Sequence, residues 1–483
     1  VCVVHLLYAF KGNDDEVSRI APEVLRAHPI LFMSDTNFAR TSIADMLASY
    51  GEAKLLNVKN RTAKCADDFG NGLVRRWRAS RETYCAPPGH HEKGSKIDCY
   101  LIHQADHAGN GDNLCLLKRI GIDFSKYLGD SGITHNVVKE YAKNALAQPY
   151  IPFKKDFASV LDEGCVSQSE KFEPKYFAMW NTHWLIDGLE TSSSATREIA
   201  DDVCSTWVDH NVFILERDTF ANLFHASCDF VNMFLAFAIL EWKLDETQVY
   251  LMDLYPRGPF WLLWESVFSS FSTMPVLTSW DLKTKFSHSQ PDRGRRLERS
   301  RVCFKNLAVG ILGAASPIAA TAKPTLCQST ALIRGYSDFI IRGMRLQQSA
   351  RYYTNVDTLS IMYMARRPSP WPEKKYCNSS FSFFDCDVFK TWSATRTPAR
   401  MMDNEAQFLK ELKKLQDGQV RVNAFDFNLM TFEEQIKVDL QTDLMVGVHG
   451  AGLMHSIFMH DYARLLEIKF ESAYRKGLMH FNN

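Results

Sequence analysis

From about residue 359 to residue 468, short and almost wholly apolar segments alternate with amphipathic ones, and this pattern restricts the fold more than any other feature of the chain. It predicts strands at Leu359–Met364, Val420–Ala424, Leu444–Val448 and Arg464–Ile468, with helices at Asn404–Leu415, Phe432–Leu440 and Ala451–Met459. Strands that are apolar on both faces have to be covered on both faces, so the pattern predicts a parallel, doubly wound sheet. An earlier stretch reads the same way: strand Val212–Leu215, a long amphipathic helix Phe220–Trp242, strand Val249–Met252 and an aromatic-rich helix Trp261–Phe271. Two such stretches make an α/β protein of two Rossmann-like lobes, with a ligand crevice at the carboxyl ends of the strands. The expected units are an irregular, Cys-containing region over 1–195, a first lobe over 196–350 and a second over 351–483. The last is expected to be truncated, because the sequence stops soon after a strand.

Composition removes several function classes. Fifty-six Lys+Arg balance 56 Asp+Glu in the 483 residues, whereas nucleic-acid binding needs a clustered basic excess. No stretch reaches the roughly 20 apolar residues of a spanning helix. The apolar start, VCVVHLLYAF, reads as the remnant of a signal or anchor segment whose beginning is missing. The 12 cysteines include no C-x-x-C pair, which favours disulfides in an oxidising compartment over zinc or redox chemistry. Sequons at Asn60 and Asn378 agree with that compartment.

Val446–His455 (VGVHGAGLMH) carries an apolar strand through His449-Gly450-Ala451-Gly452 directly into a helix. Small residues admit a ligand close to the backbone, and a helix start offers free N–H groups to a diphosphate; the alternative is a tight turn whose glycines serve packing. Glu467, at a strand end, can accept both ribose hydroxyls of a nucleotide. Arg366 and Arg367 close strand 359–364, where guanidinium groups can neutralise a diphosphate leaving group or form surface ion pairs. His225 and Asp229, at i and i+4 on one helical face, form a His–carboxylate pair able to deprotonate a hydroxyl, with either group as the base. His103/His107 and Asp385/Asp387 have cation-type spacings but lie outside the regular elements, and no metal site is assigned to them.

Taken in order, these segments resemble the family 61 glycosyltransferases. CADDFGNGLVRRW (65–77) and the block from Cys204 to Phe230 with its ANLFH-x3-D core are similar to the branch that adds xylose to the N-glycan core. CDFVNMF (228–234) is closer to the sister branch that adds GlcNAc to EGF-like domains. RVCFKN with Cys327 downstream, Met364–Pro368 with Arg400 and Asn404-Glu405, VGVHGAGLMH and LLEI complete the set. The resemblance implies a GT-B fold and inverting transfer from a UDP-sugar, with UDP-xylose and an N-glycan acceptor favoured. The alternatives are UDP-GlcNAc with EGF-like domains, or an inactive glycan-binding relative. It further implies that Arg366, Arg367, Arg400 and the turn His449–Gly452 hold the donor, that Glu467 holds the ribose, and that Asp229 or His225 is the base. By the same resemblance Cys303 and Cys327 are disulfide candidates, no cofactor or divalent cation is required, and the protein is a type II membrane protein of the Golgi or endoplasmic reticulum.

Overall fold

In a computed structural model, residues 27–50, 67, 69–87, 94–102, 112–124, 158–160, 166–167, 204–253, 255–287, 301–311, 313–319, 330–349, 358–367, 386, 390 and 400–469 are described. Residues 1–10, His103, His107, Cys327, Asp385, Asp387 and both sequon asparagines, Asn60 and Asn378, lie outside them.

The chain is α/β with two sheets, as the GT-B resemblance implies. Nine strands form the first: β1 (Arg81–Ala86), β2 (Lys96–Ile102), β3 (Asp112–Asp123), β4 (Ala158–Val160), β5 (Val166–Ser167), β6 (Cys204–Leu215), β7 (Thr247–Leu251), β8 (Leu277–Thr278) and β9 (Arg301–Val309). Their order is β5-β1-β2-β3-β9-β6-β7-β8, with β4 on β3. The second sheet has order β11-β10-β12-β13, from β10 (Leu359–Met364), β11 (Val420–Phe425), β12 (Leu444–Val448) and β13 (Arg464–Ile468). All its pairings are parallel, as the apolar runs require.

The first sheet corrects two expectations. Only β9-β6-β7-β8 is parallel; β1, β2, β3 and β9 pair antiparallel, so the lobe is mixed rather than doubly wound. The boundary at 195 also fails, because β3 from the supposedly irregular region pairs with β9 from Cys115↔Val309 to Asp123↔Arg301. A strand whose ladder is completed across that boundary cannot belong to a separate unit. Cys303 is likewise paired with Cys204 rather than Cys327, because β6 and β9 are parallel neighbours that bring the two residues together. Cys99 and Cys115, directly opposite on β2 and β3, form a second bridge.

Helix α1 (Leu223–Leu240) is the centre of the molecule. Asn222 caps it by accepting the Phe224 N–H, and Glu241 ends it in the left-handed conformation. Beyond its first turn almost every residue is buried, so the helix is apolar all round rather than amphipathic. Its 18 residues are long and apolar enough to cross a membrane, but they are enclosed by protein as a core helix. The first sheet supplies Phe213 and Leu251 beneath it, and helix α2 (Ala331–Gly343) adds Phe339. From the second lobe, Phe432 and Ile436 of a helix following α3 (Glu405–Lys413), namely α4 (Phe432–Asp439), join the same cluster with Met454 and Phe458. One apolar core therefore runs through both lobes. The predicted helix at 451–459 is a 3-10 helix, Ala451–Phe458. The predicted helix from Trp261 is one α-turn, Trp261–Trp264, continuing as a π-helix over Glu265–Ser269.

Candidate active site

At the carboxyl end of β6 the chain leaves the sheet as Glu216-Arg217-Asp218. Arg217 is buried, and its guanidinium is filled: Nε and Nη2 donate to both Asp253 oxygens at 2.7–3.2 Å. Nη2 and Nη1 also donate to the carbonyls of Tyr255 and Pro256, each at 2.9 Å. Asp253 in turn accepts the backbone N–H groups of Arg217 and Tyr255. Breaking such a buried, fully bonded pair costs about 3–5 kcal/mol, so the ends of β6 and β7 are fixed relative to each other.

This frame sets Asp218. Its Oδ2 lies 2.5 Å from His225 Nδ1, and the two side chains are 37% and 35% exposed. Asp229 is fully buried; its Oδ2 accepts the Asp218 N–H at 2.9 Å, while its Oδ1 has no hydrogen-bond partner. Burial, and next the neighbouring Asp218, push the Asp229 carboxyl well above the usual carboxylate range. The expected His225–Asp229 pair is therefore replaced by His225–Asp218. The reason is geometric: helical side chains lean toward the helix N-terminus, so both residues of α1 reach back to the segment before it. Asp218 was missed by sequence reasoning, although its signal was present as the second carboxylate, after buried Glu216, beyond a strand that leads into a capped helix. Gly313 closes the site from the other side, where a Cβ would lie 3.1 Å from Asp229 Oδ1 and 3.2 Å from Asp218 Oδ2. A small pocket beside it is lined by Thr219, Phe260, Trp264 and Arg257.

In the second lobe, β10 and β12 end side by side. β10 runs on into half-buried Arg366, and β12 into buried His449 and then Gly450. Arg366 Nη1 donates to the His449 carbonyl at 3.2 Å. Gly450 has φ 155° and ψ 175°, a region reserved for glycine, and a Cβ there would lie 2.0 Å from Arg366 Nη1. Gly452 is also tight, though less so, with Met364 Sδ at 2.7 Å from its Cβ position. The turn is thus closed around the guanidinium, and Ala451 and Gly452 open the 3-10 helix beside it.

Glu467 Oε1 is hydrogen-bonded to His449 Nδ1, and its Oε2 lies 3.2 Å from Lys469 Nζ. The carboxylate is thus engaged on both oxygens, and its visible role is to orient His449. Arg367 is drawn away to Glu405, with Nε and Nη2 at 3.0 and 2.6 Å from one oxygen. Arg400 is exposed and has positive φ, 70°. The structure therefore assembles Arg366, His449, Gly450, Ala451, Gly452 and Glu467, and gives Arg367 an ion-pair partner. Among the described residues, no group of three or more His, Cys, Asp or Glu is placed to hold a metal.

The family model for glycosyltransferase 61 matches residues 224–466, half of the chain, a span that includes His225, Asp229, Arg366 and the turn His449–Gly452 but not Asp218 or Glu467. An EGF domain-specific O-linked N-acetylglucosamine transferase of Drosophila melanogaster is 23% identical over 273 residues, covering 55% of this chain and 42% of the relative. The Mus musculus protein of the same name is 23% identical over 274 residues, with coverages of 56% and 43%. The Xenopus laevis protein is 20% identical over 333 residues, with coverages of 65% and 52%. The chain matches less than half the length of the first two relatives. The chain belongs to glycosyltransferase family 61.

Proposed function

We propose that this protein is an inverting glycosyltransferase that moves a sugar from a UDP-sugar to a hydroxyl, with GlcNAc and secreted EGF-like domains as donor sugar and acceptor. The observation that carries the donor half is the Gly450 turn closed on Arg366. The guanidinium and the N–H groups opening the 3-10 helix meet the charge that develops on the departing diphosphate. No divalent cation is needed for that neutralisation. His449, held by Glu467, lines the same turn.

His225 is the base. Its Nδ1 is engaged by Asp218, which fixes the tautomer and supports the imidazolium, so Nε2 takes the proton of the acceptor hydroxyl. The acceptor oxygen bonds the anomeric carbon as that carbon's bond to the diphosphate oxygen breaks, which inverts the centre. Asp229 is too buried to touch substrate; it holds Asp218 through the backbone. GlcNAc and EGF-like acceptors are preferred because relatives similar over 55% and 56% of this chain bear that specificity in their names. The xylose and N-glycan reading is favoured by the FGNGL segment, residues 69–73, and by ANLFH, residues 221–225. Disulfides between strands suit an oxidising, secretory compartment. Mass spectrometry after offering UDP-GlcNAc and UDP-xylose with an EGF-like domain and a GlcNAc-terminated N-glycan, with and without EDTA, tests the assignment. N-acetylhexosamine on the EGF-like domain in EDTA is expected. Pentose on the glycan would establish the second reading, and no transfer of either sugar would contradict both.

A further inference from the structure

His455 and Asp439 form a buried ion pair that no step of the proposed reaction uses. Asp439 ends α4 and is 0% exposed; His455 lies in the 3-10 helix and is 2% exposed. His455 Nδ1 is 2.5 Å from Asp439 Oδ2, and Asp439 Oδ1 has no hydrogen-bond partner. The imidazole is otherwise surrounded by rings: Phe427 edge-on at 4.6 Å, Phe432 at 5.8 Å and Phe458 at 6.3 Å. Burial, opposed by the charge of His455, raises the Asp439 carboxyl to about 6. Neither side chain reaches solvent, so neither can touch a substrate.

Such a pair is poor value as a source of stability. An apolar pair of similar volume in its place is often neutral or stabilising, so its use has to be sought in conformational specificity. The element it holds needs that specificity. The 3-10 helix Ala451–Phe458 has 8 residues, whereas 3-10 runs beyond three or four residues are uncommon. With His455 as the fixed point, relaxation to α geometry would rotate the Ala451 end by roughly 80° and shift it by about 2 Å, from the difference in residues per turn and rise. That end is the one beside Arg366.

We infer that His455 and Asp439 are positioning residues: their pair locks the 3-10 geometry that aims the Ala451 and Gly452 N–H groups at the donor diphosphate. The inference rests on the donor reading of the turn. Calorimetric titration of UDP into the full chain tests it, with D439L/H455L, H455F, D439N and R366A alongside. A purely structural loss would lower the fraction of competent molecules, and hence the binding stoichiometry, without changing Kd. Loss of positioning raises Kd at unchanged stoichiometry. D439L/H455L is expected to melt at or above the wild-type temperature and to bind UDP at least tenfold more weakly. H455F, which keeps a ring and loses the bond, gives the same result if the double variant does not fold. D439N, which can still accept from Nδ1, recovers most of the affinity. Wild-type Kd in folded D439L/H455L or H455F, with R366A weakened, would overturn the positioning role and leave the donor reading standing. Wild-type Kd in R366A as well would overturn both.

Discussion

His225 and Asp229 stand one turn apart on α1, yet only the first is open to a substrate. The spacing was legible in the sequence, but the pairing was not, because i,i+4 proximity competes with the backward lean of both side chains toward Asp218. His225→Ala should lower transfer by about 10²–10⁴, the range for losing a general base, while UDP affinity is retained. Transfer rates and UDP titration on one preparation check this. The Gly450 turn was legible as a close approach, but what approaches is partly the protein's own arginine. Gly450→Ala places a methyl group on Arg366 in a backbone region costing about 1–3 kcal/mol. It should weaken UDP binding severely and lower the melting temperature, whereas Gly418, with open space around its Cβ position, should accept alanine without effect on UDP affinity.

At the scale of elements, β12 and β13 have the bounds their apolar runs predict, since both are flanked by polar turns and lie in a purely parallel sheet. β2 and β3 were hidden because burial there does not follow apolarity. β2 buries Asp98, which is paired with Arg81 and bonded to Thr83, and this breaks the alternation a sequence reader looks for. The nature of α1 was missed in the opposite sense, as its length was legible but the enclosure of every face depends on the second lobe. Phe234, packed against Phe339 and Tyr336, should cost about 3–5 kcal/mol when changed to alanine, measured by denaturant unfolding. The Cys204–Cys303 bridge spans a sequence separation of 99, and its removal should cost roughly 2–5 kcal/mol in the same assay.

Across the whole molecule, the lobes are joined by more than the core around α1. His28, buried near the start of the described chain, is bonded to Asp338 of α2 at 2.8 Å and faces Asp461 of the second lobe at 3.5 Å. Tyr50 donates to the same Asp338, and Arg334 pairs with Asp461 at 2.6 Å. Burial disfavours the imidazolium, but the bonds to Asp338 and Asp461 and their charges outweigh it and raise His28 to about 9. A folded value above the unfolded 6.5 means the stabilisation is complete below pH 6.5 and is lost as pH rises through 9. Stability should fall by up to about 3 kcal/mol across that window, and His28→Gln should flatten the curve. No local pattern in the sequence marks His28, because its partners lie far along the chain, on α2 and beyond the 3-10 helix. The failed boundary at 195 has the same origin, since long-range pairing decides unit membership.

In the proposed reaction the lobes divide the labour, with Arg366 binding the donor and His225 activating the acceptor. UDP titration and sugar transfer, measured together on wild type, Arg366→Ala and His225→Ala, test it most directly. The predicted result is a split, in which Arg366→Ala loses UDP affinity by about tenfold or more, while His225→Ala binds UDP normally and transfers about 10²–10⁴-fold more slowly. Wild-type UDP affinity in Arg366→Ala, or normal turnover in His225→Ala, would contradict the account.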